Sequence, residues 1–200
     1  MLRQSSWPVI VAAFISGFII MGVELLGGRI LAPYFGGSIH VWGSLITVFM
    51  LALSLGYLLG GKWSLHQPSR QRMAVLFAVS ALLLSPLLFF SSEILKWLFL
   101  TITDPRYGAL ASATALFLLP TITLGMISPY AVRLLTRDHN TTGMTAGTLY
   151  FVSTIGSAAG TIVTSFYLVL WFSVSHILIG FSSVLLLTAA LLFYRIEESK

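Results

Sequence analysis

Six long apolar runs occupy most of the sequence and decide what the chain can fold into. Each run has about 20 residues or more, the length that a helix needs to cross roughly 30 Å of hydrocarbon. The runs lack the two-residue alternation of barrel strands. The sequence therefore predicts an all-α membrane protein with spans at about 7–28, 39–60, 73–95, 107–132, 144–171 and 174–194.

The composition supports the same conclusion. Hydrophobic residues make up 57% of the 200-residue chain and charged residues only 8%, whereas soluble domains carry about 25% charged residues. The connecting segments are too short to hold a soluble domain, so we interpret residues 1–200 as one six-helix transmembrane domain. The first run is longer than the apolar core of a signal peptide and lacks a small-x-small cleavage site, so we expect it to be retained.

Basic residues in the short loops predict the orientation of the spans. If the N-terminus is cytoplasmic, eight of the 11 Lys and Arg residues fall on the cytoplasmic side and three on the outside. We therefore expect both termini in the cytoplasm, in an integral protein of the bacterial inner (plasma) membrane. The cytoplasmic set is Arg3, Lys62, Arg70, Arg72, Arg133, Arg137, Arg195 and Lys200, and the outer set is Arg29, Lys96 and Arg106.

Several kinds of chemistry have no support in the sequence. Cysteine is absent, which excludes disulfides, thiolate catalysis and cysteine-ligated metals. The four histidines show no metal-ligand spacing, and no nucleophile elbow or phosphate-binding glycine loop is present. We predict no catalytic residues, no cofactor, no metal and no nucleic-acid partner, which leaves an integral-membrane enzyme as the least favoured interpretation.

Glu24 is the most informative polar residue, because a carboxylate in or near hydrocarbon is costly and by default indicates a site or a partner. It falls near the outer end of the first predicted span. Two interpretations stay open: a structural pair with Arg29, five residues on, or a carboxylate that binds a proton or cation in a central cavity. The candidate residues that bind cargo, or that line or gate a path, are Glu24, Arg29, His40, Trp42, Tyr57 and Tyr150.

Glycines four residues apart recur in the second and fifth runs. Such pairs share one helix face and let two backbones approach closely. They predict helix packing within the chain, with a sliding or dimerising face as the alternative. The pairs are Gly56 and Gly60, Gly143 and Gly147, and Gly156 and Gly160.

A short sequence motif recurs in the two halves of the chain. Residues 31–34 (LAPY) follow the first run and residues 127–130 (ISPY) close the fourth, 96 residues later. Three spans separate the halves, so the second half would be inverted relative to the first, as in the 3+3 inverted repeats of many transporters. The LAPY motif lies within residues 27–37, a segment rich in glycine. This segment predicts a turn between the first two spans.

Residues 24–62 (ELLGGRILAPYFGGSIHVWGSLITVFMLALSLGYLLGGK) resemble the membrane domain of the fused major-facilitator/spermidine-synthase-like proteins. GMISPYAVRL at 125–134 and AGTLYFVSTIGSAAG at 146–160 agree. The resemblance covers about residues 15–170 and implies a half major-facilitator fold, with a polyamine or related cation as cargo. The fused family continues into a cytosolic aminopropyltransferase domain, whereas this sequence stops at Lys200, so no catalytic residue of that domain carries over.

GYLLGGK at 56–62, with Arg70 and Arg72 downstream, also resembles the cytoplasmic latch between helices two and three of major-facilitator transporters. Gly61 stands where that latch has an aspartate. The latch mechanism is therefore not implied, although the packing role of the glycines is.

Two functional hypotheses follow. The first is a half-size transporter-like protein for a small metabolite, in which a two-fold homodimer rebuilds a central pathway. The alternative is a membrane anchor or scaffold for a separately encoded, soluble spermidine-synthase-like enzyme. Docking of that enzyme would use the cytoplasmic residues Lys62, Arg70, Arg72, Arg133 and Arg137.

Overall fold

The computed structural model describes residues 6–136 and 142–194, and every regular element in these ranges is helical. Six spans are long and apolar enough to cross a membrane, which confirms the predicted all-α, six-span class. The elements are α1 (Trp7–Phe35), α2 (Ile39–Trp63), α3 (Arg70–Phe89), α4 (Ser91–Thr101), α5 (Pro105–Leu135), α6 (Thr142–Val163), a π turn (Thr164–Leu168), α7 (Val169–Trp171) and α8 (Val174–Tyr194). The fifth span, Thr142–Trp171, comprises α6, the π turn and α7.

Helix α1 continues seven residues beyond its predicted end, and the predicted turn over residues 27–37 is wrong. Pro33 is tolerated because the hydrogen bond that it cannot make would join it to Arg29, in the last turns of the helix. Gly36, at φ 75°, ends the helix in a conformation that favours glycine. Gly27 does not form a turn but packs against α2, because a Cβ on Gly27 would lie 2.8 Å from the Leu45 side chain.

The third span also differs from its predicted bounds, because α3 ends at Phe89 instead of continuing to residue 95. Pro86 has no N–H to donate to the carbonyl of Leu82, which accepts from the Ser85 hydroxyl at 2.7 Å instead. Phe90 then leaves helical geometry, at φ −124° and ψ 0°, and α4 begins as a separate helix. The predicted third span therefore combined a membrane helix with the start of a second, shorter one.

Helices α1 and α5 lie in the middle of the bundle and contact each other. On one side, α3 packs against α5 and α8, and α8 packs against α1. On the other side, α2 packs along α5 and α6 packs along α1, but α2 and α6 do not pack extensively against each other. This leaves a cleft between α2 and α6 with α1 and α5 at its floor, which we call the α2–α6 cleft.

Glycines bring two helix pairs into close contact. A Cβ on Gly56 would lie 2.5 Å from the carbonyl oxygen of Ile122 in α5, and Gly60 meets Met126 in the same way. A Cβ on Gly156 or on Gly160 would lie 2.2 Å from a backbone oxygen of α1. Only glycine permits these separations, so two helix pairs are held backbone to backbone on either side of the α2–α6 cleft.

Six crossings place the start of α1 and the end of α8 on one side of the membrane, which we call the termini side. The loop between α2 and α3 lies on this side. Tyr130 of α5 anchors it: the phenol oxygen accepts from the backbone N–H of Ser69 at 3.0 Å and donates to the Ser69 carbonyl at 3.3 Å. The Trp63 ring lies 5.8 Å from the Tyr130 ring, which is fully buried.

Candidate functional site

A polar cavity of about 330 Å³ lies in the α2–α6 cleft, toward the termini side. Two predicted site residues, Tyr57 of α2 and Tyr150 of α6, line it together although they are distant in sequence. Hydroxyl groups dominate the rest of the wall. We call this space the hydroxyl cavity; its lining residues are Tyr57, Ser128, Pro129, Tyr150, Ser153, Thr154 and Ser157.

Sequence reasoning missed four of these hydroxyl-bearing residues, Ser128, Ser153, Thr154 and Ser157, although a signal was present for the three on α6. Tyr150, Ser153, Thr154 and Ser157 follow the i, i+3, i+4, i+7 spacing of one helix face inside an apolar span. Contacts with α1 hold this face in place, because the Ser157 hydroxyl donates to the Gly17 carbonyl at 3.3 Å. A search for polar stripes within each span would have identified Ser153, Thr154 and Ser157.

Glu24 faces the same cleft. Residues 17, 24 and 28 of α1 lie within about 40° of one another around the helix axis. A Cβ on Gly17 would meet Ser153 of α6, whereas a Cβ on Gly28 would meet the ring of Trp42 in α2. Glu24 lies between these two contacts, so its side chain projects between α6 and α2, about 10 Å along α1 from Gly17.

The extended α1 changes the position of Glu24 within its helix. The residue lies 11 positions before Phe35 and 17 after Trp7, which puts it about 16 Å from the nearer end of the helix. It is therefore well inside helix α1 and not at its end. It is partly buried.

The predicted pair between Glu24 and Arg29 is not formed: no ion pair or hydrogen bond joins these two described residues. The Arg29 guanidinium instead donates from Nη1 to the carbonyl oxygen of Val169 at 3.1 Å. Helix α7 ends at Trp171, so this carbonyl is one of the last four, which lack intrahelical partners, and a cation is favourable there. Within the described residues, the carboxylate of Glu24 is left without a polar partner.

His40 and Trp42 lie far from the hydroxyl cavity, on the side of the membrane opposite the termini. The Trp42 ring covers Gly28, where a Cβ would come within 2.9 Å of it, and His40 is exposed. The six candidate residues thus divide into three levels. Tyr57 and Tyr150 share the hydroxyl cavity, Glu24 lies deeper, and Arg29, Trp42 and His40 lie near the opposite side.

The remaining glycine pair, Gly143 and Gly147, does not take part in the close helix contacts described above. A Cβ on Gly143 or on Gly147 would meet no described atom within 4 Å. The exposed face of α6 continues through Thr154 and Ala158. The fifth span is also the least buried of the six spans, since only 17% of its most apolar 18-residue stretch is buried. This face is therefore open to lipid or to another protein.

The predicted docking residues lie around the α2–α3 loop and the end of α5. Lys62 and Arg133 are exposed, whereas Arg70 and Arg72 are partly buried. The Arg72 side chain donates to the backbone carbonyl of His66 in the loop. Arg137 lies outside the described residues.

The chain was compared with protein-family models, with curated proteins and with solved structures. None of the three comparisons finds a match.

Proposed function

We propose that two copies of this chain assemble around their α2–α6 clefts to enclose a transport pathway for a small metabolite. The observation that carries the proposal is Glu24, a carboxylate deep in a span that faces an open cleft and has no partner among the described residues. Placing a carboxylate against hydrocarbon costs roughly several kcal/mol of free energy. A protein partner that covers the cleft and traps water removes this penalty.

A second copy fits the open face by symmetry. When two copies face each other across a two-fold axis along the membrane normal, α2 of one copy lies opposite α6 of the other. Both helices present small or hydroxyl-bearing exposed residues, including Ser54, Thr154 and Ala158, which favour close packing in membranes. The two hydroxyl cavities and the two Glu24 side chains would then line one shared space.

The order of helix packing supports the transporter plan. Exchanging the first three spans for the last three turns the α1–α6 contact into the α5–α2 contact, and the α1–α8 contact into the α5–α3 contact. This is the pattern that a 3+3 inverted repeat generates. Pro33 and Pro129 both lie within the last two turns of the equivalent helices, α1 and α5.

The chemistry of the cleft suggests the class of cargo. The described residues that line the hydroxyl cavity offer hydrogen-bond donors and acceptors but no charged side chain. Glu24 supplies one negative charge further along the same path. A small organic cation with a polar or methylene body suits both features. A polyamine, the cargo that the sequence resemblance implies, belongs to this class.

Uptake of radiolabelled spermidine or putrescine into proteoliposomes tests the proposal. The proposal predicts uptake above that of protein-free vesicles, with competition between the two polyamines. Vesicles that contain the folded protein but accumulate neither compound would count against this cargo class. Purification in mild detergent addresses the scaffold alternative, since a soluble spermidine-synthase-like subunit bound in stoichiometric amount would favour that function.

A further inference from the structure

Helix α4 has no role in the proposed pathway, yet its position and its exposed face are informative. Its 11 residues extend about 16 Å, which is too short to cross a bilayer. It connects the end of α3 to the start of α5, both on the side of the membrane opposite the termini. It therefore lies at that membrane surface.

One face of α4 packs on the protein. Leu95 and Leu98 are buried, and Phe99 contacts the end of α1, with its ring 6.2 Å from Tyr34 and 5.8 Å from Phe35. The Tyr34 hydroxyl also donates to the backbone carbonyl of Ser92 at 3.2 Å. These contacts fix how α4 is rotated about its axis.

The opposite face is exposed and carries large apolar side chains beside two charged ones. Trp97 and Leu100 each follow a buried leucine by two residues, or about 200° of helix rotation, and they are 64% and 73% exposed. Lys96 and Glu93 are exposed beside them, so the charged groups lie at the level of the lipid headgroups. More aromatic side chains are exposed next to α4, namely Phe89, Phe90 and Tyr107, as in the aromatic belt at a bilayer interface.

We propose that α4 is an interfacial helix that binds the lipid leaflet on this side. Trp97 and Leu100 insert at the boundary between headgroups and acyl chains, and Lys96 reaches lipid phosphate while its methylene stem stays among the apolar groups. Because the other face of α4 holds the end of α1, this attachment positions the helix that carries Glu24 and Arg29.

Site-directed spin labelling tests this proposal directly, because the chain has no native cysteine. Single variants Trp97→Cys and Leu100→Cys carry the label in vesicles of phosphatidylethanolamine and phosphatidylglycerol. Thr103→Cys, at an exposed position in the loop after α4, is the matched control. Relaxation by oxygen, which concentrates in lipid, is compared with relaxation by a water-soluble nickel chelate.

We expect a several-fold higher ratio of oxygen to nickel accessibility at positions 97 and 100 than at 103. Equal ratios at all three positions would show that α4 faces water and would overturn the proposal. Labels at 97 and 100 that neither reagent reaches would show that protein covers this face, which also overturns it. Two labelled positions keep the test valid if Trp97→Cys alone disturbs the fold. The readout does not depend on transport.

Discussion

Arg29 and Val169 are joined by a hydrogen bond of 3.1 Å from the guanidinium to the backbone carbonyl. The bond links the end of α1 to the end of the fifth span on the side opposite the termini. On the same side, Trp42 of α2 covers Gly28. Both flanks of the α2–α6 cleft are thus tied to α1 at this level, whereas the hydroxyl cavity opens toward the termini side.

Replacing Arg29 should loosen this end of the cleft. In Arg29→Gln, the Val169 carbonyl loses a charged donor, which corresponds to about 1 kcal/mol at an exposed position and about fivefold faster local opening. Hydrogen exchange of the amides from Thr164 to Phe172 measures the effect. Arg106→Gln, at an exposed arginine near α4, is the control and should leave this segment unchanged. Unchanged exchange in Arg29→Gln would show that the bond does not hold the helix end.

The glycine contacts make a prediction about stability. A Cβ at Gly160 would lie 2.2 Å from the Phe18 carbonyl oxygen, so Gly160→Ala must separate α6 from α1. We expect a loss of about 1–3 kcal/mol in the free energy of unfolding, as for other overpacked sites. Thermal unfolding in detergent measures it.

Gly147→Ala is the matched control on the same helix, because its Cβ would meet no described atom within 4 Å. This variant should be as stable as the parent, or slightly more stable owing to the higher helix propensity of alanine. Equal destabilisation by both substitutions would contradict the assigned contact between α6 and α1.

Tyr130 should protect the loop between α2 and α3. Tyr130→Phe keeps the buried ring but removes the hydroxyl that bonds both backbone groups of Ser69. We expect a loss of about 1 kcal/mol and faster tryptic cleavage at the flanking Lys62 and Arg70. Tyr107→Phe, which alters an exposed ring, should cleave at the parent rate. A resistant Tyr130→Phe loop would show that the anchor lies elsewhere.

The proposed two-fold assembly predicts which helices meet between copies. Ser54→Cys and Thr154→Cys, each introduced singly and co-expressed with different tags, should form a disulfide between copies, since α2 of one lies opposite α6 of the other. Leu187→Cys, at an exposed position of α8, should not cross-link to either. A Leu187→Cys cross-link that forms as efficiently as the Ser54–Thr154 pair would rule out the proposed face.

Apolar length and composition were sufficient to predict the number of spans and the helical class, because hydrocarbon thickness sets the length of a span. Helix ends were harder to predict. Pro33 and the glycines around it predicted a turn. A proline near a helix end removes only one hydrogen bond, however, and the helix tolerates that loss easily. The boundary at Phe90 was missed because the apolar run continues past it, and Pro86, four residues earlier, is a break that membrane helices often tolerate.

For a related reason, only part of the candidate site could be predicted from the sequence. Tyr57 and Tyr150 could be selected as polar residues within spans, but their shared cavity depends on how α2, α5 and α6 pack. The partner of Arg29 is a backbone carbonyl, which carries no side-chain signature. Local sequence showed an acid and a base five residues apart and favoured a pair, whereas tertiary packing offered Arg29 a helix end.

The most direct test of the central claim is polyamine uptake by Glu24→Gln in proteoliposomes. The substitution keeps the size of the side chain and removes its charge, so the protein should fold and assemble but lose transport. Glu93→Gln, the same change at an exposed position of α4, is the control. We predict uptake by the parent and by Glu93→Gln, and a rate at least about tenfold lower for Glu24→Gln, equivalent to about 1.4 kcal/mol. Equal uptake by all three proteins would contradict a pathway that depends on Glu24.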